Sequence, residues 1–285
     1  MMEPKKGGLK ILSCGAGMQS TALALMSCEN KSHGNVYPEV PIYDRIVFCD
    51  LGHEPDWVYD QVKFIQNACE ACEIPFKVLE THLYEDYIEK FGTQRVASIP
   101  FWSVDENGKK GKMRRQCTID KKIIAIQKYI RYEVLGYRFR EKCRKEDRGK
   151  HEMHIGISSE EAHRVFESQN PMFVTKFPLI EMGLTRADNY KYILEKWGLE
   201  TKASACSYCP FHRNYFFEYI KEHCPECYKA VVQLDNVLDE RQPGSQIRSK
   251  VYISRSRKRI TELTPDECTD AETFQYKGKA IWNGF

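Results

Sequence analysis

No Gly-Lys-Ser or Gly-Lys-Thr follows a glycine-rich turn in this sequence, which excludes a Walker phosphate loop. The Gly-x-Gly turn near its start is not completed to Gly-x-Gly-x-x-Gly, which excludes the dinucleotide fingerprint. There is no run of about 18 uninterrupted apolar residues, and the stretch MMEPKKGGLKIL lacks the apolar segment of a secretory signal. A soluble, cytoplasmic protein without membrane partners is therefore expected. An excess of one charge is also missing: 43 Lys and Arg against 40 Asp and Glu leave +3. Net charge thus does not mark a nucleic-acid binder, and local clusters must decide that question. What the chain does have is length, 285 residues, enough for one large domain or two modest ones, and 12 cysteines. In a cytosol these are not a disulfide framework, so metal or redox chemistry is the expected use.

The organising stretch is residues 9–26, LKILSCGAGMQSTALALM. An apolar run leads into a turn of small residues, and then into a segment whose apolar positions Ala22, Leu23, Leu25 and Met26 have helical spacing. Gly15 and Gly17 are expected to supply backbone angles that side chains forbid, and Ala16 to keep the turn narrow. Ser20 and Thr21 place hydroxyls beside the first amides of the helix, where the dipole favours an anion. The stretch reads as a phosphate or pyrophosphate cradle.

Downstream, residues 45–50 (RIVFCD) read as a buried strand, residues 55–72 as a helix started by Pro55, and residues 74–79 as a third strand. This alternation predicts a parallel sheet with helices on its faces and ligands at the strand carboxyl ends. Residues 83–91 read as a short helix, and residues 105–115 (DENGKKGKMRR) as an exposed basic loop that can rim a phosphate. Cys117 opens a long helix carrying Ile123, Ile124, Ile126, Tyr129, Ile130, Val134 and Leu135, and its thiolate is expected to be favoured by the helix start and nearby cations. Residues 138–150 read as a charged connection, residues 153–158 as another buried strand, and residues 185–197 as a helix. Residues 214–240 read as two helices parted near Pro225. The basic run at 248–259 fits a nucleic-acid backbone and a polar strand edge equally.

Taken together, Gly15, Ala16, Gly17, Met18, Gln19, Ser20 and Thr21 resemble the pyrophosphate loop (PP-loop) of the ATP pyrophosphatase and phosphoadenosine phosphosulfate (PAPS) reductase superfamily, Ser-Gly-Gly-x-Asp-Ser-Thr. Gln19 stands where Asp is usual and Gly15 where the first Ser is usual. The resemblance implies an α/β, Rossmann-like sheet of the HUP type with helices on both faces over residues 1–200. A smaller, cysteine-containing and mostly helical region would occupy residues 201–285. It implies ATP, with Mg²⁺, held by Ser13, Gly15, Ala16, Gly17, Gln19, Ser20 and Thr21. Asp50 and Gly52 would lie on the ribose or adenine side, and Gly156, Glu161 and Arg164 at the phosphates, with Ser20 and Arg164 acting on the departing pyrophosphate.

The cysteines leave two metal readings open. Cys206-x-x-Cys209 followed by Cys224-x-x-Cys227 has nearly the spacing of a structural zinc site, although the aromatic stretch between the pairs reads as one helix. Alternatively, Cys117 joins Cys206 and Cys209, resembling the spacing that ligates a 4Fe-4S cluster in adenylylsulfate reductases, with Gln116 replacing the first cysteine of their Cys-Cys pair. A pair at Cys69 and Cys72 reads as buried small residues. The reductases' Glu-Cys-Gly-Leu-His motif, which carries their nucleophile, is not found. The expectation is therefore an enzyme that adenylates a nucleic-acid base (tRNA or DNA) or a nucleotide, releases pyrophosphate and transfers sulfur from a donor protein. A sulfonucleotide reductase and a non-catalytic binding module with zinc are the rivals, and a homodimer is left open.

Overall fold

The computed structural model describes residues 8–282; residues 1–7 (MMEPKKG) and 283–285 (NGF) lie outside the described residues. The chain forms two compact units. The first takes residues up to 49, 60–79 and 126–201, and the second residues 50–59, 80–125 and 202 onward. Among the described residues no helix is long and apolar enough to cross a membrane.

In chain order the elements are β1 (Lys10–Cys14), α1 (Met18–His33), β2 (Arg45–Asp50), α2 (Asp56–Ala71), β3 (Phe76–Glu80), α3 (Leu83–Lys90), β4 (Trp102–Val104), β5 (Lys110–Lys112), α4 (Ile124–Tyr129), β6 (His151–Ile155), β7 (Phe173–Lys176), α5 (Pro178–Glu181), α6 (Arg186–Trp197), α7 (Asn214–His223), α8 (Pro225–Arg241), β8 (Lys250–Tyr252), β9 (Thr273–Tyr276) and β10 (Lys279–Trp282).

The first unit is built on a five-stranded sheet in the order β3-β2-β1-β6-β7, with β1 parallel to β2 and β6, and β6 parallel to β7. It is an α/β, Rossmann-like fold. Ile11, Leu12, Ile46, Val47 and Met153 are wholly buried, as central strands covered on both faces require. α1 is nearly encircled, which explains its small residues Ser20, Ala22, Ala24, Ser27 and Cys28. It is pinned to α6 through Glu29, which accepts from Tyr192 (2.7 Å), Trp197 (3.0 Å) and Lys196 (3.2 Å). α6 starts in a capping box: the Asp188 amide donates to Thr185 Oγ1 (3.2 Å), and the Thr185 amide to Asp188 Oδ2 (2.9 Å). The chain leaves β1 toward β2 and β3 on one side and returns to β6 on the other. The topological switch point therefore lies at the carboxyl ends of β1 and β6, where Rossmann-like sheets bind ligands.

The second unit packs α3, α7 and α8 around Leu83, Tyr87, Phe101, Phe216, Leu234 and Val251. It carries the antiparallel sheet β5-β4-β8 and the hairpin β9-β10.

Several sequence expectations need correction. Residues 105–115 do not form a loop throughout: β4 and β5 make a hairpin, with Trp102 opposite Lys112. Asp105 Oδ1 closes its turn by accepting from the amides of Asn107 (3.0 Å) and Lys109 (2.8 Å), with Gly108 at φ 76°. Lysine and glycine in β5 have little strand propensity, so the pairing was hidden. The helix after Cys117 is interrupted by π-helical turns at Ile119–Ile123 and Ile130–Val134. These shift the apolar positions off one face, and of the expected contacts Ile126 and Ile130 are the buried ones. The strand expected at 153–158 runs from His151 to Ile155. Two helices fall near Pro225 as expected, but residues 201–285 also hold β8, β9 and β10. The basic run at 248–259 is spent internally in part. Arg259 pairs with Asp235 (3.1 Å), and Arg257 donates to the carbonyls of Ser103 (3.2 Å) and Gly111 (3.3 Å).

Candidate active site

In the first unit the turn from β1 to α1 is shaped by its own side chains. The left-handed residue is Ala16 (φ 55°), whereas Gly17 is extended (φ −90°, ψ 171°), so the special backbone angle falls on the alanine. Ala16 is wholly buried and its carbonyl accepts from Gln61 Nε2 (2.5 Å). Ser20 Oγ accepts from the Gly15 amide (3.0 Å) and donates to the Gly17 carbonyl (3.3 Å), so this hydroxyl closes the turn on itself. Thr21 is fully buried, its hydroxyl without a hydrogen-bond partner. α1 has Gly17 as its N-cap, no side-chain cap and no acid in its first turn. An anion arriving there meets no built-in competitor for the helix amides.

Gly156, just past β6, is placed by contact with this turn. A Cβ on it would stand 2.7 Å from the Ser20 nitrogen and 2.9 Å from the Gln19 carbonyl carbon. Only glycine lets the end of β6 close on the start of α1. Beyond it, Gln19 Nε2 donates to Ser158 Oγ (3.0 Å) and to Glu161. Glu161 also accepts from Arg164 (2.5 Å) and Arg186 (2.9 Å). Burial pushes the Glu161 carboxyl up, but Arg186, Arg164 and the Gln19 amide together hold it below its ordinary value. The result is a carboxylate flanked by two guanidiniums, joined to the first turn of α1 through one amide.

Asp50 and Gly52 belong to the second unit. Asp50 Oδ1 accepts from the Gly52 amide (2.8 Å) and from the Tyr59 hydroxyl (3.3 Å), with Gly52 at φ 80°. The following residues carry the cysteine loop. Ser207 donates to the His53 carbonyl through its amide (2.9 Å) and hydroxyl (2.6 Å), Tyr208 to the Leu51 carbonyl (3.0 Å), and Trp57 to the Ala203 carbonyl (3.1 Å). Trp102 Nε1 holds the far side of the loop through the Pro210 carbonyl (2.8 Å).

Cys117, Cys206 and Cys209 share one buried neighbourhood, each thiol within electrostatic reach of the others. The hydrogen bond from Cys206, the Phe211 amide and the charges of Arg115 and Lys122 pull Cys209 down to about 7 against its burial. Cys206 is held well above its ordinary value by the same bond and by burial. Cys117 departs from expectation. Burial pushes it up and Cys209 adds to this, so the cations at Arg115 and Lys122 do not prevail. Glu54 completes the group: it is 3% exposed, and its Oε1 has no hydrogen-bond partner. Burial, with Asp50 and Cys209, pushes its carboxyl up to about 7 against Lys122.

The four-cysteine zinc arrangement is not assembled, because Cys224 and Cys227 are bonded to each other. Among the described residues, the group of three donors whose ligand atoms all lie within 4.8 Å of one another is Asp56, Cys224 and Cys227. Sulfurs around one zinc stand roughly 3.8 Å apart, given a Zn–S bond of about 2.3 Å. Cys117, Cys206 and Cys209 are not gathered within that 4.8 Å limit.

Arg186 and Glu54 were missed by sequence reasoning. Arg186 follows a helix cap and Glu54 precedes a helix-starting proline, so both read as ordinary helix-end charges. The chain matches no protein-family model, and no curated protein matches it.

Proposed function

We propose that this chain is a PP-loop ATP pyrophosphatase of the HUP fold type that adenylates a nucleic-acid base or nucleotide and then replaces the activated oxygen with sulfur. The observation that carries this reading is the uncapped start of α1 at the switch point, closed in by Gly156, with Arg164 and Arg186 gathered on Glu161. Main-chain amides and the helix dipole would hold the β- and γ-phosphates, and the two arginines would balance their charge. A substrate oxygen attacks the α-phosphorus and the bond to the β-phosphate oxygen breaks. Pyrophosphate leaves, and a sulfur nucleophile then displaces AMP from the adenylated substrate. Glu161 and Gln19 set the rim in place and are suited to orient Mg²⁺-bound ATP.

Cys117, Cys206 and Cys209 fit a 4Fe-4S cluster, and the unpartnered Glu54 oxygen fits its fourth iron. Bound there, the cluster would supply the sulfur-carrying and redox chemistry. A nucleic-acid substrate is favoured by the surroundings of that loop. Lys112 lies over the rings of Phe211 (4.5 Å) and Trp102 (5.4 Å), Arg115 over Phe211 (5.1 Å), and Arg257 over Trp102 (5.2 Å). Cations interleaved with aromatic faces suit phosphates and unstacked bases. Incubation with ATP labelled at the α-phosphate, with and without tRNA or DNA, tests the first half. AMP and pyrophosphate are the expected products; ADP and orthophosphate would overturn the reading.

A further inference from the structure

Cys224 and Cys227 are bonded to each other at the start of α8, with Cys224 as its N-cap and Pro225 in its first turn. The bridge spans a sequence separation of 3, so it removes little entropy from the unfolded chain. The helix already fixes the backbone on either side. Stability is therefore a weak reason for it. Both residues are buried, yet Cys227 lines a cavity of about 380 Å³ within the second unit. The same cavity is walled by Glu54, a side chain 3% exposed, and by Asp56, whose carboxylate lies within 4.8 Å of both sulfurs.

We propose that Cys224 and Cys227 form a thiol–disulfide exchange site whose substrate is a small aminothiol, a thiol carrying positive charge close to its sulfur. The walls give the charge preference: Asp50, Glu54, Asp56, Glu80, Glu85 and Glu226 face the cavity, against the imidazoles of His53 and His82. The incoming thiolate reaches Cys227, the cysteine on the cavity wall. Its sulfur bonds to Cys227 Sγ, the bridge breaks, and Cys224 leaves as a thiolate at the amino end of a 17-residue helix, where the dipole favours it. A second aminothiol attacks the mixed disulfide, forming the small-molecule disulfide and freeing Cys227. The two protons lost by the incoming thiols end on the two cysteines, so the exchange is a balanced two-electron transfer. This proposal rests on neither the ATP nor the cluster reading.

The test compares cysteamine with 3-mercaptopropionate at matched thiolate concentration and low salt, following the bridge by differential alkylation and mass spectrometry. Cysteamine should open it at least about tenfold faster, the order of effect that a like-signed cavity gives. The ratio should fall toward unity at high salt and in a Glu85→Gln, Glu226→Gln double variant. With cystamine, Cys224→Ser should accumulate the mixed disulfide on Cys227; an adduct formed on Cys224 in Cys227→Ser but not on Cys227 in Cys224→Ser would overturn the proposal. Equal rates for the two thiols, a bridge that resists both until the chain unfolds, or stoichiometric zinc held by both cysteines in the isolated protein would also overturn it. The rate comparison uses the unaltered protein, so it decides the matter even if a cysteine variant does not fold.

Discussion

Gln19 stands where the PP-loops that this turn resembles have an aspartate, and its partner suits an amide at this position. Its amide donates to Glu161 and Ser158; an acid at this position would set one carboxylate against another. Gln19→Glu is therefore expected to destabilise the first unit by about 1–3 kcal/mol, the cost of turning a charge-assisted bond into a repulsion. Adding Glu161→Gln should recover most of that loss. Urea unfolding of the two single variants and the double variant measures it, and additive losses would mean that the two side chains do not communicate. Gly156→Ala belongs to the same turn. A methyl group 2.7 Å from the Ser20 nitrogen meets backbone and not a flexible side chain, so a loss of about 1–3 kcal/mol is expected from the same unfolding measurement.

β6 carries a second kind of control, since His151 and His154 are both 4% exposed or less. Burial lowers the pKa of each, although Asp147 opposes it for His151 and Glu152 for His154. A histidine with a depressed folded pKa is protonated more readily in the unfolded chain. Its contribution to stability is present above the ordinary value near 6.5 and is lost as the pH falls through and below it. Thermal unfolding should accordingly begin at lower temperature at pH 5.5 than at pH 7.5. His154→Phe, whose ring can keep the edge contact with Tyr43, should lessen the difference; an unchanged difference would place the acid sensitivity elsewhere. This strand also marks the limits of sequence reading. The buried run Ile46, Val47, Phe48 and the cap at Thr185 announced β2 and α6 directly, because burial on both faces and capping leave local signatures. The hairpin at β4 and β5, the π-helical turns after Cys117 and the bonding of Cys224 to Cys227 were not legible: the lysines and glycine of β5 are poor strand formers, π-helical turns leave the apolar positions reading as one helix, and a Cys-x-x-Cys pair reads as metal ligands as readily as a disulfide. At the candidate site, the resemblance pointed to Gly156 and Glu161, which the structure places beside the first turn of α1, whereas Arg186 and Glu54 are set apart by burial and partners that no local pattern records.

The two groups of residues proposed to carry chemistry fall in different units, the β1–α1 turn in the first and the cysteine group in the second. If one reaction uses both, metal content must follow the residues of the second unit alone. Cys117→Ala, Cys206→Ala and Cys209→Ala should each lose iron and the visible absorption of anaerobically purified protein, while Cys224→Ala and Gln19→Glu should keep both. Glu54 separates a ligand from a bystander. As an unpaired buried carboxylate it costs the metal-free protein stability, so Glu54→Gln should raise the unfolding midpoint of the metal-free form. As the fourth ligand it should also, when replaced, alter the cluster's visible spectrum without abolishing iron binding, since the three cysteines remain. A midpoint that rises with an unchanged spectrum would make Glu54 an unused acid and leave the fourth iron open to substrate. A colourless protein whose zinc depends on Cys206, Cys209, Cys224 and Cys227 together would remove sulfur transfer and leave a nucleotide-binding unit joined to a structural metal site.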